Sequence, residues 1–100
     1  MVFATLEDVR TEIDRADVQL VRLIAQRASY VKAAAAFKAD DAAVRAPDRV
    51  QQVIAKVRHL AAEQGLSEEI IEQVYRSMIA AFIDYELAQQ AKLSAGHEHT

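Results

Sequence analysis

Residues 5–38 read TLEDVRTEIDRADVQLVRLIAQRASYVKAAAAFK. A heptad stripe runs through them: Leu6, Val9, Ile13, Ala16, Leu20, Leu23, Arg27, Tyr30, Ala34 and Phe37. Such spacing puts one side chain on the same helical face every three or four residues. Thr5 is a good N-cap, and Glu7 and Asp8 stand in the first turn, where the helix dipole favours acids. No Gly or Pro interrupts the run before Pro47. The pattern predicts one helix over about 5–38, about 50 Å long at ~1.5 Å per residue. A chain of 100 residues cannot cover a helix of that length alone, and long seamed helices pair with a partner. Arg27 is the exception on the seam, a permanent cation where an apolar residue belongs.

The remaining sequence continues in helix. Residues 39–46, ADDAAVRA, break the period and read as a loop. Pro47 suits the first position of helix two, over about 47–64, because its missing N–H is not needed there. Val50, Val53, Ile54, Val57, Leu60 and Ala61 form that helix's apolar face, and Gly65 stops it. Ser67 caps helix three, over about 68–94, which carries Ile71, Val74, Tyr75, Met78, Ile79, Phe82 and Ile83. Glu86 falls on the same stripe. The tail 95–100, AGHEHT, is expected to fray, and its His97-Glu98-His99 reads as a frayed terminus before it reads as a metal site. No strand pattern or repeat is present. The predicted fold is all-α: three helices, long, medium and long, in a single domain over 1–100 that forms an intertwined homodimer.

Composition narrows the function. Gly and Pro together make three residues, and the hydrophobic fraction is 52%, enough for a core though much of it is Ala. The net charge of -3 argues against nucleic acid as a partner, since binding it requires a basic surface. With no cysteine there is no thiol nucleophile or thiolate metal site. The N-terminus lacks the basic and apolar regions of a signal peptide, and no uncharged stretch reaches the ~20 residues of a membrane span. The expectation is a soluble cytoplasmic protein.

The misplaced cations carry the functional signal. Arg27 lies on the seam, Arg10 and Lys38 share another heptad position, and Arg49 opens helix two. A buried cation needs an anionic partner. An internal Arg27–Glu86 pair would supply one, but it leaves a surplus of cations near the seam. On a continuous helix, Arg27 and Lys38 are three turns apart, about 16 Å, which leaves a gap suited to a small molecule. Arg10 is about 25 Å from Arg27, too far to share that ligand unless a two-fold partner brings its own copy back. The implied ligand is a small dicarboxylate, because arginine forks bind carboxylates bidentately. Tyr30, Phe37, Tyr75 and Phe82 read as core by their phase. Arg15, Arg22, Lys32, Lys56, Arg58 and Arg76 read as solvated faces, and Asp14 and Asp17 as helix-surface partners of basic residues one turn away. Arg45, in the loop, ranks behind the other cations as a contributor.

These residues also resemble a family. Ile13-Asp14-Arg15-Ala16-Asp17, Arg10, Arg27, YVKAAAAFK and the following APDRV are similar to the all-helical chorismate mutases, closest to their isochorismate-pyruvate lyase branch, over roughly residues 6–92. The resemblance implies a dimer with two shared sites. Arg27 and the partner subunit's Arg10 would hold the substrate carboxylates. Lys38 would donate to the ether oxygen of the enolpyruvyl group, and Arg49 would support the carboxylate end. Val50, Phe82 and Ile83 complete the expected lining. Helix three of the family offers a Gln to the same ether oxygen, and here that position is Glu86. Lys38, Glu86 and Arg27 are thus the expected catalytic residues.

The mutase reaction is pericyclic and requires no cofactor or metal. A protein assists it by selecting the reactive conformer and stabilising charge on the breaking C–O bond. Two departures pull apart. Mutases commonly carry Glu after the Arg49 position, where this chain has Val50, as in the lyase branch. Glu86 occurs in some mutases, whereas the lyase has Gln. An ionised Glu cannot donate to an ether oxygen but a protonated one can, so a catalytic Glu86 implies activity that rises towards acid pH. The expectation is chorismate mutase first, isochorismate-pyruvate lyase second. From another class, a non-catalytic helical dimerisation module stays open.

Overall fold

The computed structural model describes residues 2–98. It divides into two units, residues 1–33 and 34–100. Its helices are α1 (Leu6–Ala35), α2 (Asp41–Arg45), α3 (Pro47–Glu63) and α4 (Glu68–Glu98), and no strand occurs among the described residues.

The first unit is nearly all α1. Its start is a reciprocal cap: Thr5 Oγ1 accepts from the Asp8 N–H at 3.1 Å, and Asp8 Oδ2 accepts from the Thr5 N–H at 3.2 Å. This capping box satisfies two of the N–H groups that a helix end leaves open. None of the α1 residues is buried. Leu20 is 54% exposed and Leu23 59%, so the heptad seam is a bare apolar face. Tyr30, expected in a core, is exposed as well.

The second unit begins with a departure from the expected helix. α1 ends at Ala35, not at Lys38. The Phe37 and Lys38 N–H groups turn back onto Ala34 O and Ala35 O, at 3.0 and 3.1 Å, the tightened bonds with which helices finish. Lys38 therefore lies outside the helix. Phe37 is 92% exposed and is no part of a core, because the turn carries it off the helical face.

The expected loop 39–46 holds α2. Asp40 is extended, with φ -151° and ψ 177°, and its Oδ1 accepts from the Ala43 N–H at 2.8 Å. Asp41 at the start and Arg45 at the end complement the helix dipole. Ala46 then takes a left-handed conformation, φ 37° and ψ 62°. That costs a residue with a Cβ about 1–2 kcal/mol, and a following proline disfavours helical backbone further.

Pro47 opens α3 at its first turn. A Schellman motif closes it: Leu66 N–H donates to Ala61 O at 2.8 Å and Gly65 N–H to Ala62 O at 3.2 Å. Gly65 has φ 72°, which only glycine adopts without strain. Ser67 caps α4, its Oγ accepting from the Ile70 N–H at 3.3 Å. α4 continues through residues 95–98, which were expected to fray. The single Gly96 weakens this stretch, and no Pro breaks it. The terminal His97-Glu98-His99 lies outside the residues whose side chains are described.

α3 and α2 both pack on α4. The core is small: Val44, Ile54, Val57 and Ala61 are its buried apolar residues among those described. An ionic network reinforces the α3–α4 hairpin. Glu72 accepts from Arg58 Nη1 and from Arg76 Nε, both at 2.7 Å, and Arg58 Nε lies 3.6 Å from Glu68 Oε1. Arg58 is thus tied to α4, whereas Arg76 is an exposed residue of α4 paired one turn away. The hydrogen bond from Arg76, then that from Arg58, hold the Glu72 carboxyl below the usual carboxylate range. The folded chain binds this proton more weakly than the unfolded chain. The stabilisation is therefore complete above the ordinary Glu value of ~4.3 and is lost as pH falls through the lower folded value. Glu72→Gln should lower the urea midpoint at neutral pH and flatten its decline between about pH 5 and pH 3. A variant whose midpoint tracks that of the unsubstituted protein through this window would contradict the assignment.

Candidate functional site

Lys38 and Glu86 are 48 positions apart in sequence and meet in the second unit. Lys38 Nζ donates to Glu86 Oε2 at 3.2 Å and lies 3.5 Å from Oε1. Glu86 is the one charged residue buried among those described, at 8% exposure, and the Lys38 side chain retains 23%. Each residue reaches this position for a local reason. Glu86 follows Phe82 by one turn of α4, on the face that carries Ile79 and Ile83, all three half-buried. Lys38 arrives because α1 stops at Ala35 and the chain turns. A carboxylate this far from water costs several kcal/mol unless paired, and an ammonium touching both oxygens is a suitable match.

The other expected site residues distribute as follows. Arg49 is exposed in the first turn of α3, and Val50 beside it is half-buried, its N–H bonded to Ala46 O at 3.0 Å. Phe82 and Ile83 are half-buried on α4. Arg10 and Arg27 belong to the first unit. Arg10 is exposed and bonds Glu7 at 3.3 Å, whereas Arg27 is half-buried and engaged. Of the eight expected residues, the structure joins Lys38 to Glu86. Arg45, at the end of α2, is exposed.

One contributor is missing from the sequence reading. Val44, 3% exposed, lies in the segment between Lys38 and Arg49 and is the buried residue of α2. Its only sequence signal is a single branched apolar residue in ADDAAVRA, four residues after an Asp that can cap a helix.

The chemistry available is that of a cation and a carboxyl beside half-buried apolar walls. Lys38 can donate to an oxygen of a bound molecule, and Glu86 can accept, or donate if it takes up a proton. No helix among the described residues is long and apolar enough to cross a membrane.

Residues 9–87 match the family described as chorismate mutase type II. The chain is also 38% identical over 87 residues to the isochorismate pyruvate lyase of Pseudomonas aeruginosa, covering 87% of this chain and 82% of that protein.

The ion pair has a measurable signature. Lys38→Met should strand the buried carboxylate and cost about 2 kcal/mol in urea unfolding at fixed protein concentration. Adding Glu86→Leu should recover most of that loss, because an apolar pair of similar volume needs no partner. Costs that simply add in the double variant would show that the two side chains do not interact.

Proposed function

The chain belongs to the type II chorismate mutase family, and we propose that it catalyses the rearrangement of chorismate to prephenate. The Lys38–Glu86 pair carries this reading: a donor and a carboxyl, largely shielded from water, with Glu86 on the helix that bears Phe82 and Ile83. In the reaction one C–O bond of the substrate breaks while one C–C bond forms, and no atom is gained or lost. Charge builds on the ether oxygen as the C–O bond lengthens. Lys38, aimed at that oxygen, stabilises the charge, and a protonated Glu86 donates to the same atom. Arg27 and Arg49 bind the carboxylates and hold the substrate in its compact conformer. Val50, Phe82 and Ile83 flank the ring.

In this reading residues 1–100 act as one domain within a homodimer. The bare apolar face of α1 is what a second copy would cover, and the partner subunit's Arg10 completes each site. A second reading is isochorismate-pyruvate lyase, giving salicylate and pyruvate. It is favoured by the relative named for that activity and by Val50 where mutases commonly carry Glu.

Assaying chorismate and isochorismate side by side decides between the two, with prephenate from chorismate the expected product. Turnover of isochorismate alone would reverse the order. Turnover of neither, with no thermal stabilisation by a bicyclic diacid that mimics the transition state, would leave a non-catalytic dimerisation module. Activity should rise towards acid pH in the unsubstituted protein and lose that dependence in Glu86→Gln, and superimposable profiles would remove Glu86 from the mechanism. Mixing inactive Arg10→Ala and Arg27→Ala subunits should restore about a quarter of full activity: half the dimers are mixed, and each has one intact site of two. Mixed dimers without activity would rule out the shared site.

A further inference from the structure

Val44 is the most deeply buried of the described residues, yet it sits in a helix of five residues. A helix that short cannot sustain itself, because nucleation costs more than so few hydrogen bonds return. Its backbone is also strained at the exit, where Ala46 holds φ 37° immediately before Pro47. Two attachments oppose these costs. Asp40 caps the start, and the helix packs on α4 with Val44 as its buried side chain. α2 is therefore held from outside, and Val44 is its buried side chain.

The segment it holds is flanked by cations. Lys38 lies two residues before the cap, and Arg49 three residues after the strained Ala46. The helix on which α2 packs is the one that carries Glu86. We propose that Val44 is a positioning residue: by docking α2 on α4 it holds Lys38 against Glu86 and fixes the run of chain that leads to Arg49. The inference deepens the proposed function, since Lys38 and Arg49 are the substrate's donors there, but the docking itself is measurable without turnover. When α2 is undocked the site is not competent, and apparent affinity falls in proportion to the docked fraction.

The test compares Val44→Ala and Val44→Ile with the unsubstituted protein. Amide exchange reports docking through three bonded groups: Ala43 N–H to Asp40 Oδ1, Val44 N–H to Asp40 O and Ala46 N–H to Ala42 O. In Val44→Ala these should exchange at least about tenfold faster, while the Val57 and Ala61 amides of α3 keep their rates. The stability coupling between Lys38 and Glu86, measured by a double-variant cycle in the Val44→Ala background, should fall by at least about half. With turnover, KM should rise about fivefold or more with kcat within about twofold. Val44→Ile, which keeps a branched aliphatic side chain there, should leave all three near their values in the unsubstituted protein. Unchanged exchange at the three amides would overturn the docking, and faster exchange with the coupling intact would overturn the positioning role. If the unsubstituted protein turns over neither substrate, the proposed function fails, while exchange and coupling still decide the role of Val44.

Discussion

A carboxyl group buried on an apolar helix face must be matched, and in this chain that constraint shapes everything from residue 35 to residue 49. Glu86 stands on the inner face of α4 with 8% of its surface in water. Its desolvation would outweigh the burial of several methyl groups if no cation reached it. Lys38 reaches it, but only because α1 stops at Ala35 and the chain folds over. Asp40 and Pro47 make the excursion affordable, one by starting α2 and the other by starting α3. Ala46 bears the cost, as the non-glycine residue with positive φ among those described. Local strain and a short helix thus accompany the placing of one ammonium beside one carboxylate.

Local signals make most of the helix ends legible. Thr5, Ser67 and Gly65 each act within three or four residues of their own position, so residue type alone reveals them. α2 is illegible for the opposite reason. Five residues show no period, and Asp40, Asp41 and Arg45 look the same in a polar loop as in a capped helix. The sequence reading of Lys38 fails more instructively. Nothing in AAAAFK breaks a helix, so extrapolation places Lys38 in line with Arg27. The chain turns at residues 34–38 instead, and Lys38 meets a residue 48 positions away. Arg58 is misread likewise, because its partner Glu72 lies on another helix. Glu86 itself is visible as a polar residue on an apolar stripe, but the identity of its partner is not.

The first unit poses a different problem. A 30-residue helix exposing Leu6, Ile13, Leu20 and Leu23 leaves unburied the surface that would stabilise it, and most helical stability comes from such burial. The same seam carries Arg27, which an apolar partner face would not tolerate alone. A partner that covers the leucines and leaves room for an anion at Arg27 meets both demands. Under the proposed function a second copy does this, and the substrate carboxylate supplies the anion.

The same reading makes Glu86 the harder residue to reconcile with catalysis. Lys38 is paired with it. The ether oxygen of the substrate is neutral and accepts a weaker hydrogen bond than a carboxylate does, since charge-assisted bonds are roughly twice as strong. An ionised Glu86 therefore keeps the ammonium in any direct competition. Under the proposed function Lys38 turns to the ether oxygen only when Glu86 carries a proton, which also makes Glu86 a second donor. A glutamine at this position would donate without that step and without its dependence on pH. The choice of Glu over Gln thus exchanges a permanent donor for one conditional on the proton, and ties the competence of Lys38 to the same event.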